Sequence, residues 1–225
     1  MAISKFNYNS FNVTPVASKA LAFNSDADGF TTASSSSMIL IKTLTASSSA
    51  TLSFVDGADS VVLDDTYPIY KFEFINIHPQ TDNVGFSVNF RDGETAYDAI
   101  KTTTNFYAFH DEADSNTAVE YRSSQDIAQG TGFLNLGIPI GADADQNFAG
   151  ELTLFNPSST TFVKHFISNS NISGSGNDVH SNYIAGYCNV TAAIDGVQFK
   201  MVSGNIDAGK IKLYGIKDSW WHYLN

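Results

Sequence analysis

The sequence predicts an all-β fold, an antiparallel sandwich or barrel, and three observations carry the prediction. Apolar residues recur at every second position in Val84, Phe86, Val88 and Phe90, and again in Val197, Phe199 and Met201, so each run buries one face of a strand. Short runs of this kind repeat along the chain between Asp-Gly, Asn-Pro and Gly-rich breaks, which is the spacing of a sandwich or barrel. Only 16% of residues are charged, and Ser, Thr and Asn supply the polar balance, a choice that suits strands and turns better than solvated helices.

In chain order, residues 1–35 are polar and Ser/Asn-rich with scattered Phe and Tyr, and read as an N-terminal arm or a first, loosely paired strand layer. Residues 36–217 form the sandwich domain. Strands are expected at Met38–Leu44, Thr51–Val55, Ile69–Ile77, Val84–Phe90, Phe106–Phe109, Glu151–Phe155, Phe162–Ile167, Tyr183–Cys188, Val197–Met201 and Lys210–Ile216. A short helical turn is expected near Thr95–Ile100. Hairpin turns are expected at Arg91-Asp92-Gly93 and Asp207-Ala208-Gly209, where glycine supplies a positive φ. Residues 218–225 form a short aromatic C-terminal tail. Its Trp220, Trp221 and Tyr223 are candidate assembly anchors, because an isolated domain gains little from three aromatics after its last strand.

The chain has 225 residues, 43% of them hydrophobic and 13% aromatic, enough to bury a core. A formal charge of −11 repels phosphate backbones, so a nucleic-acid partner is not expected. The single cysteine, Cys188, permits no internal disulfide and fits folding in a cytosol. The longest apolar run, Met38–Ile41, is far too short to span a bilayer, and no secretion signal is visible.

No motif names a chemistry. Asn24, Asp26 and Asp28, followed by Gly29, occupy alternate positions of a calcium-type loop, but Ser35 stands where the bidentate glutamate belongs. An Asx turn is the expected role, with calcium left open. Of the histidines, His78, His110, His165, His180 and His222, none has a partner at ligand spacing. There is no Gly-x-Ser-x-Gly elbow, Ser173-Gly174-Ser175-Gly176 reads as a flexible loop, and Cys188 reads as a small buried hydrophobe. Asp64-Asp65, Asp143 with Asp145, and Glu112 with Asp114 read as solvated loop charges. The expectation is a non-enzymatic protein with no cofactor and no metal. Tyr97, Phe106, Tyr107 and Tyr121, set among Asn and Asp, could stack on sugars as the aromatics of β-sandwich lectins do, although core packing is the expected role of most of them.

From about Ser47 to Ile216 the chain resembles a family of bacteriophage virion proteins found in phages of marine and freshwater bacteria and described as structural or tail-fibre-like. The matching segments are Tyr70-Lys71-Phe72-Glu73-Phe74-Ile75-Asn76-Ile77-His78-Pro79, the stretch from Gly150 to Ser159, and Val163-Lys164-His165-Phe166. Gly186-Tyr187, Thr191 to Phe199, Ser203-Gly204-Asn205-Ile206 and Gly209 to Ile216 complete the pattern. The resemblance implies a jelly-roll-like sandwich on a virion and carries no catalytic residues. A tail-fibre or tail-associated component that forms a homo-oligomer and joins other virion proteins is the leading expectation. A capsid decoration protein and a module for host surface glycans are the alternatives.

Overall fold

The structure, a computed structural model, describes residues 13, 14, 16, 19–24, 26, 28–33 and 36–218. None of these is helical, and fourteen strands carry the fold. A short hairpin, β1 (Ala20–Phe23) and β2 (Phe30–Ala33), comes first. The body continues with β3 (Met38–Thr45), β4 (Leu52–Val55), β5 (Ile69–Pro79), β6 (Val84–Arg91), β7 (Lys101–Asp111) and β8 (Thr117–Tyr121). It closes with β9 (Leu134–Ile140), β10 (Phe148–Phe155), β11 (Lys164–Gly174), β12 (Asp178–Cys188), β13 (Gly196–Met201) and β14 (Ile206–Ile216).

One sheet has eight strands in the order β3-β14-β5-β10-β11-β12-β7-β8, a second has four in the order β4-β13-β6-β9, and β1–β2 ladders with neither. The two larger sheets form an antiparallel sandwich with a jelly-roll-like wrap. β3 pairs with β14, β4 with β13, β5 with β10 and β6 with β9, which is the nesting of one long hairpin rolled on itself. Two further hairpins are inserted into the roll, β7–β8 between β6 and β9, and β11–β12 between β10 and β13. Both join the large sheet beyond β10 and widen it from four strands to eight.

Alternation along the strands sends one set of side chains inward, and phenylalanine dominates that set. Phe72 and Phe74 of β5 and Phe148 of β10 meet Phe54 of β4, Phe86 of β6 and Phe199 of β13 across the sheet interface, all of them buried. Phe199 lies at the centre, with ring centroids 5.3 Å from Phe72, 5.2 Å from Phe74, 5.8 Å from Phe86 and 6.3 Å from Phe54. Most of these pairs meet edge-on or tilted, the arrangement that aromatic quadrupoles favour.

Beneath the inserted hairpins the interior turns polar. Thr103, Asn105, Ser168, Ser170, His180 and Asn182 are all buried there. Arg122, just past β8, closes this side: its guanidinium lies 3.6 Å from the Tyr107 ring centroid and donates from Nη1 to the Ile138 carbonyl at 2.7 Å. At the other end of β7, register places Lys164, Cys188 and Lys101 in one buried row. Lys101 Nζ donates to the Ala99 carbonyl and Lys164 Nζ to the Val190 carbonyl, so each ammonium ties a loop to the sheet.

Several elements differ from the sequence reading. Residues 95–100 form no helix, because the Asn89 side chain holds the Tyr97 carbonyl and Ala99 N–H donates to the Phe90 carbonyl. Arg91-Asp92-Gly93 opens a crossover to the large sheet and not a hairpin, since β6 already has β13 and β9 on its two edges. Asp207-Ala208-Gly209 is likewise no turn: β14 runs through it between β3 and β5, and the register against β5 shifts there as a bulge. Gly209 does take a φ of +115°, and an added Cβ would stand 2.4 Å from the Asn76 carbonyl oxygen. β8 and β9 were not expected, and β7, β11 and β12 run several residues beyond their apolar segments. Trp220, Trp221 and Tyr223 lie outside the described residues.

Two predictions follow from this packing. Phe199→Ala removes the ring shared by both sheets and is expected to cost about 3–5 kcal/mol of unfolding free energy in urea titrations. Phe162→Ala, at a ring 70% exposed, is expected to stay within about 0.5 kcal/mol of the parent.

Stability also depends on pH. Burial lowers Lys101 to about 8 from 10.5 and pushes the Cys188 thiol up to about 12 from 9.0. Between about pH 8 and 10.5 the unfolded chain keeps a proton on Lys101 that the folded chain has lost, so this group makes stability rise with pH. Cys188 acts oppositely above pH 9, where only the unfolded thiol ionises. Burial lowers Lys164 as well, so denaturant titrations are expected to show a rise from pH 8 to 9 that Lys101→Met reduces, and a rise that continues toward pH 10.5 in Cys188→Ala. An unchanged slope in Lys101→Met would contradict the assignment.

Candidate binding face

The outward residues of the large sheet are fixed by register. Glu73 of β5 faces Glu151 of β10, which faces Asn169 of β11, then Tyr183 of β12, Phe106 of β7 and Tyr121 of β8. One straight row thus crosses six strands, acidic and amide at one end and aromatic at the other. The rings of Tyr183 and Phe106 stack with centroids 5.1 Å apart and planes 11° from parallel. Despite this contact they remain 44% and 45% exposed, and Tyr121 is 56% exposed. The Tyr121 hydroxyl donates to the Asp126 carboxylate at 2.5 Å, which anchors the ring and raises its phenol above the ordinary value.

The rings rise as a ridge because their outward neighbours along the strands are short. Ser181 and Ala108 lie on one side of Tyr183 and Phe106, and Ala185 and Thr104 on the other.

The polar end of the row is a shallow open trough of about 490 Å³, lined by Glu73, Phe74, Ile75, Ala149, Glu151, Asn169 and Asn171 with backbone at Gly150 and Ser170. Gly150 is needed there: a Cβ would sit 2.4 Å from the Asn169 carbonyl oxygen, so only glycine lets β10 approach β11 this closely. The facing carboxylates of Glu73 and Glu151 would repel one another across the ladder. Lys71 relieves this, its Nζ 2.6 Å from Glu151 and 4.0 Å from Glu73.

The aromatics singled out in the sequence separate. Phe106 and Tyr121 belong to the exposed row, Tyr107 is buried on the opposite face beneath Arg122, and Tyr97 is half-buried in the crossover after β6. Sequence reasoning missed Tyr183, Asn169, Glu151 and Glu73 as members of this row. The alternation in Tyr183, Ala185 and Tyr187 places those three on one face, but only cross-strand register joins Tyr183 to Phe106.

The remaining candidates have local roles. The Asn24 side-chain oxygen accepts from the backbone N–H groups of Asp28 and Gly29, both at 3.2 Å, so Asn24 ties together the two ends of the β1–β2 loop, reaching four and five residues on and not the two of the expected Asx turn. His110 pairs with Asp114 at 3.1 Å on the surface, and His78 ends β5 against the Asp143 carbonyl. His180 is buried, its ring near-parallel to those of Tyr107 and Phe109 at 5.5 and 5.4 Å, with Asp178 at 3.2 Å. His165 is exposed on β11, while His222 lies outside the described residues. Ser173 and Gly174 finish β11, and the chain turns over Ser175–Asn177 into β12. Cys188 is fully buried with its thiol protonated. Among the described residues, no group of three or more His, Cys, Asp or Glu side chains is placed to hold a metal ion. No family model, curated protein or solved structure matches the chain.

Proposed function

We propose that this chain is a non-enzymatic structural protein of a bacteriophage virion, a tail-fibre or tail-associated component made in the host cytoplasm and assembled with copies of itself and other virion proteins. The resemblance from Ser47 to Ile216 supplies the virion setting. The observation that carries the assembly reading is the β1–β2 hairpin, which ladders with neither large sheet. A lone two-stranded hairpin is marginal in water. This one nevertheless exposes Leu21 by 51% and Phe23 by 69%, with Phe23 stacked 5.0 Å from Phe30. Such an arm gains stability by docking its apolar side on a neighbour. The Trp220, Trp221 and Tyr223 tail is a second anchor in this reading, and capsid decoration is the alternative placement.

Light scattering of the purified chain tests the assembly. A trimer or larger ring is expected, reduced to monomer by Leu21→Ser with Phe23→Ser, and weakened by deletion of residues 218–225. A monodisperse monomer, identical in all three forms, would sink assembly through the termini.

A second reading, compatible with the first, is a module that binds host surface glycans. The row from Glu73 to Tyr121 favours it, since half-exposed aromatic rings stand in line with carboxylates and amides, placing apolar and hydrogen-bonding groups side by side as a sugar does.

A further inference from the structure

We infer that the outer row of the large sheet is a binding track for a neutral glycan chain that runs across the strands from the Glu73–Glu151 trough to the Tyr183–Phe106–Tyr121 ridge. The inference rests on the glycan-binding reading above and deepens it.

The trough is open and shallow, which suits a polymer lying along it better than an enclosed ligand. Its chemistry alternates as a pyranose does. Glu73 and Glu151 accept hydroxyl protons in charge-assisted hydrogen bonds, and the amides of Asn169 and Asn171 both donate and accept. Lys71 occupies one side of Glu151, leaving the other oxygen available. Ile75, 37% exposed, and Ala149 give an apolar floor on which the C–H face of a sugar can rest. Beyond Asn169 the row continues into Tyr183, whose ring is braced by Phe106. Five inter-strand steps separate Glu73 from Tyr121, a span of about 24 Å at the usual strand spacing, which accommodates a short oligosaccharide.

Charge selects among glycans. Two carboxylates stand in the trough, Lys71 lies between them, and the whole chain carries −11. Polymers of uronic or sialic acid are repelled from this face, whereas neutral hexose and N-acetylhexosamine chains are not. The other possible occupant, a second copy of the chain, would bury the same ridge and is separated from a glycan by the experiment.

The full-length protein is screened against an array of neutral and acidic glycans, and hits are titrated calorimetrically, with cellohexaose, chitohexaose and hexagalacturonic acid as defined probes. Binding is expected for one or more neutral glycans and absent for the acidic ones. Tyr183→Ala and Glu151→Gln are each expected to weaken binding roughly tenfold or more, with unchanged circular dichroism and solution mass. Neutral binding unaffected by both variants would overturn the track while leaving the glycan-binding reading in place. No binding to any glycan would overturn both. Stronger binding of acidic glycans, or an oligomer that dissociates in Tyr183→Ala, would also overturn the track, the latter by showing the ridge to be a protein contact.

Discussion

The six phenylalanines between the sheets are the constraint on which the rest of the structure depends. Phe54, Phe72, Phe74, Phe86, Phe148 and Phe199 come from five strands and both layers, and their rings interlock instead of merely abutting. A one-residue slip in any of these strands would exchange an inward ring for an outward polar side chain. The cluster therefore sets the inward parity of β5 and β10 in the large sheet and of β4, β6 and β13 in the small one. Once Phe74 is inward, Glu73 and Ile75 must face solvent, and the same holds for Glu151 beside Leu152.

The inserted hairpins inherit that parity through hydrogen bonding. β11 is registered on β10, β12 on β11 and β7 on β12, so the placement of Tyr183 and Phe106 is propagated outward from the phenylalanine core strand by strand. Their interior can be polar because it is stabilised differently. Ser170 donates to the Leu136 carbonyl, Ser168 to the Glu151 carbonyl, and Arg122 spans from Tyr107 to β9. These directional bonds act beside apolar packing, since Phe166, Ile172 and Ile184 of the inserted hairpin β11–β12 join the hydrophobic core and Phe166 lies 5.0 Å from Phe90.

The strands with period-two apolar residues were legible, β3, β5, β6 and β13 above all, because burial on one face writes directly into the sequence. β11 was only half legible: its second half, Ser168-Asn169-Ser170-Asn171, is small and polar on both faces, and only the serines turn inward to meet backbone carbonyls. β9 contains Gly137 and Pro139, which read as breakers but are tolerated on an edge strand of the small sheet. The glycines at 93 and 209 were correctly read as positive-φ positions and assigned the wrong job. Whether such a glycine makes a turn or a bulge depends on whether neighbouring edges are already taken, a fact about the whole sheet. The candidate site was less legible still. Phe106 and Tyr121 stood out by composition, yet Tyr183 is 62 residues from Tyr121 in the numbering and joins it only through the ladder of β12, β7 and β8.

The position of β14 bears on how the chain is made. The last strand of the described chain lies between β3 and β5, inside the large sheet and not at its margin. During synthesis β3 and β5 emerge first and wait with facing edges unfilled until Ile206–Ile216 leaves the ribosome. The sheet closes through contacts between residues more than a hundred positions apart, such as Leu44 with Ile211, the kind of distant pairing that carries a large loop-closure cost before it is rewarded. Until then the open edges of β3 and β5 can recruit strands from other nascent chains. A truncation that loses β14 would thus expose two interior edges at once, converting a self-contained sandwich into a template for aggregation.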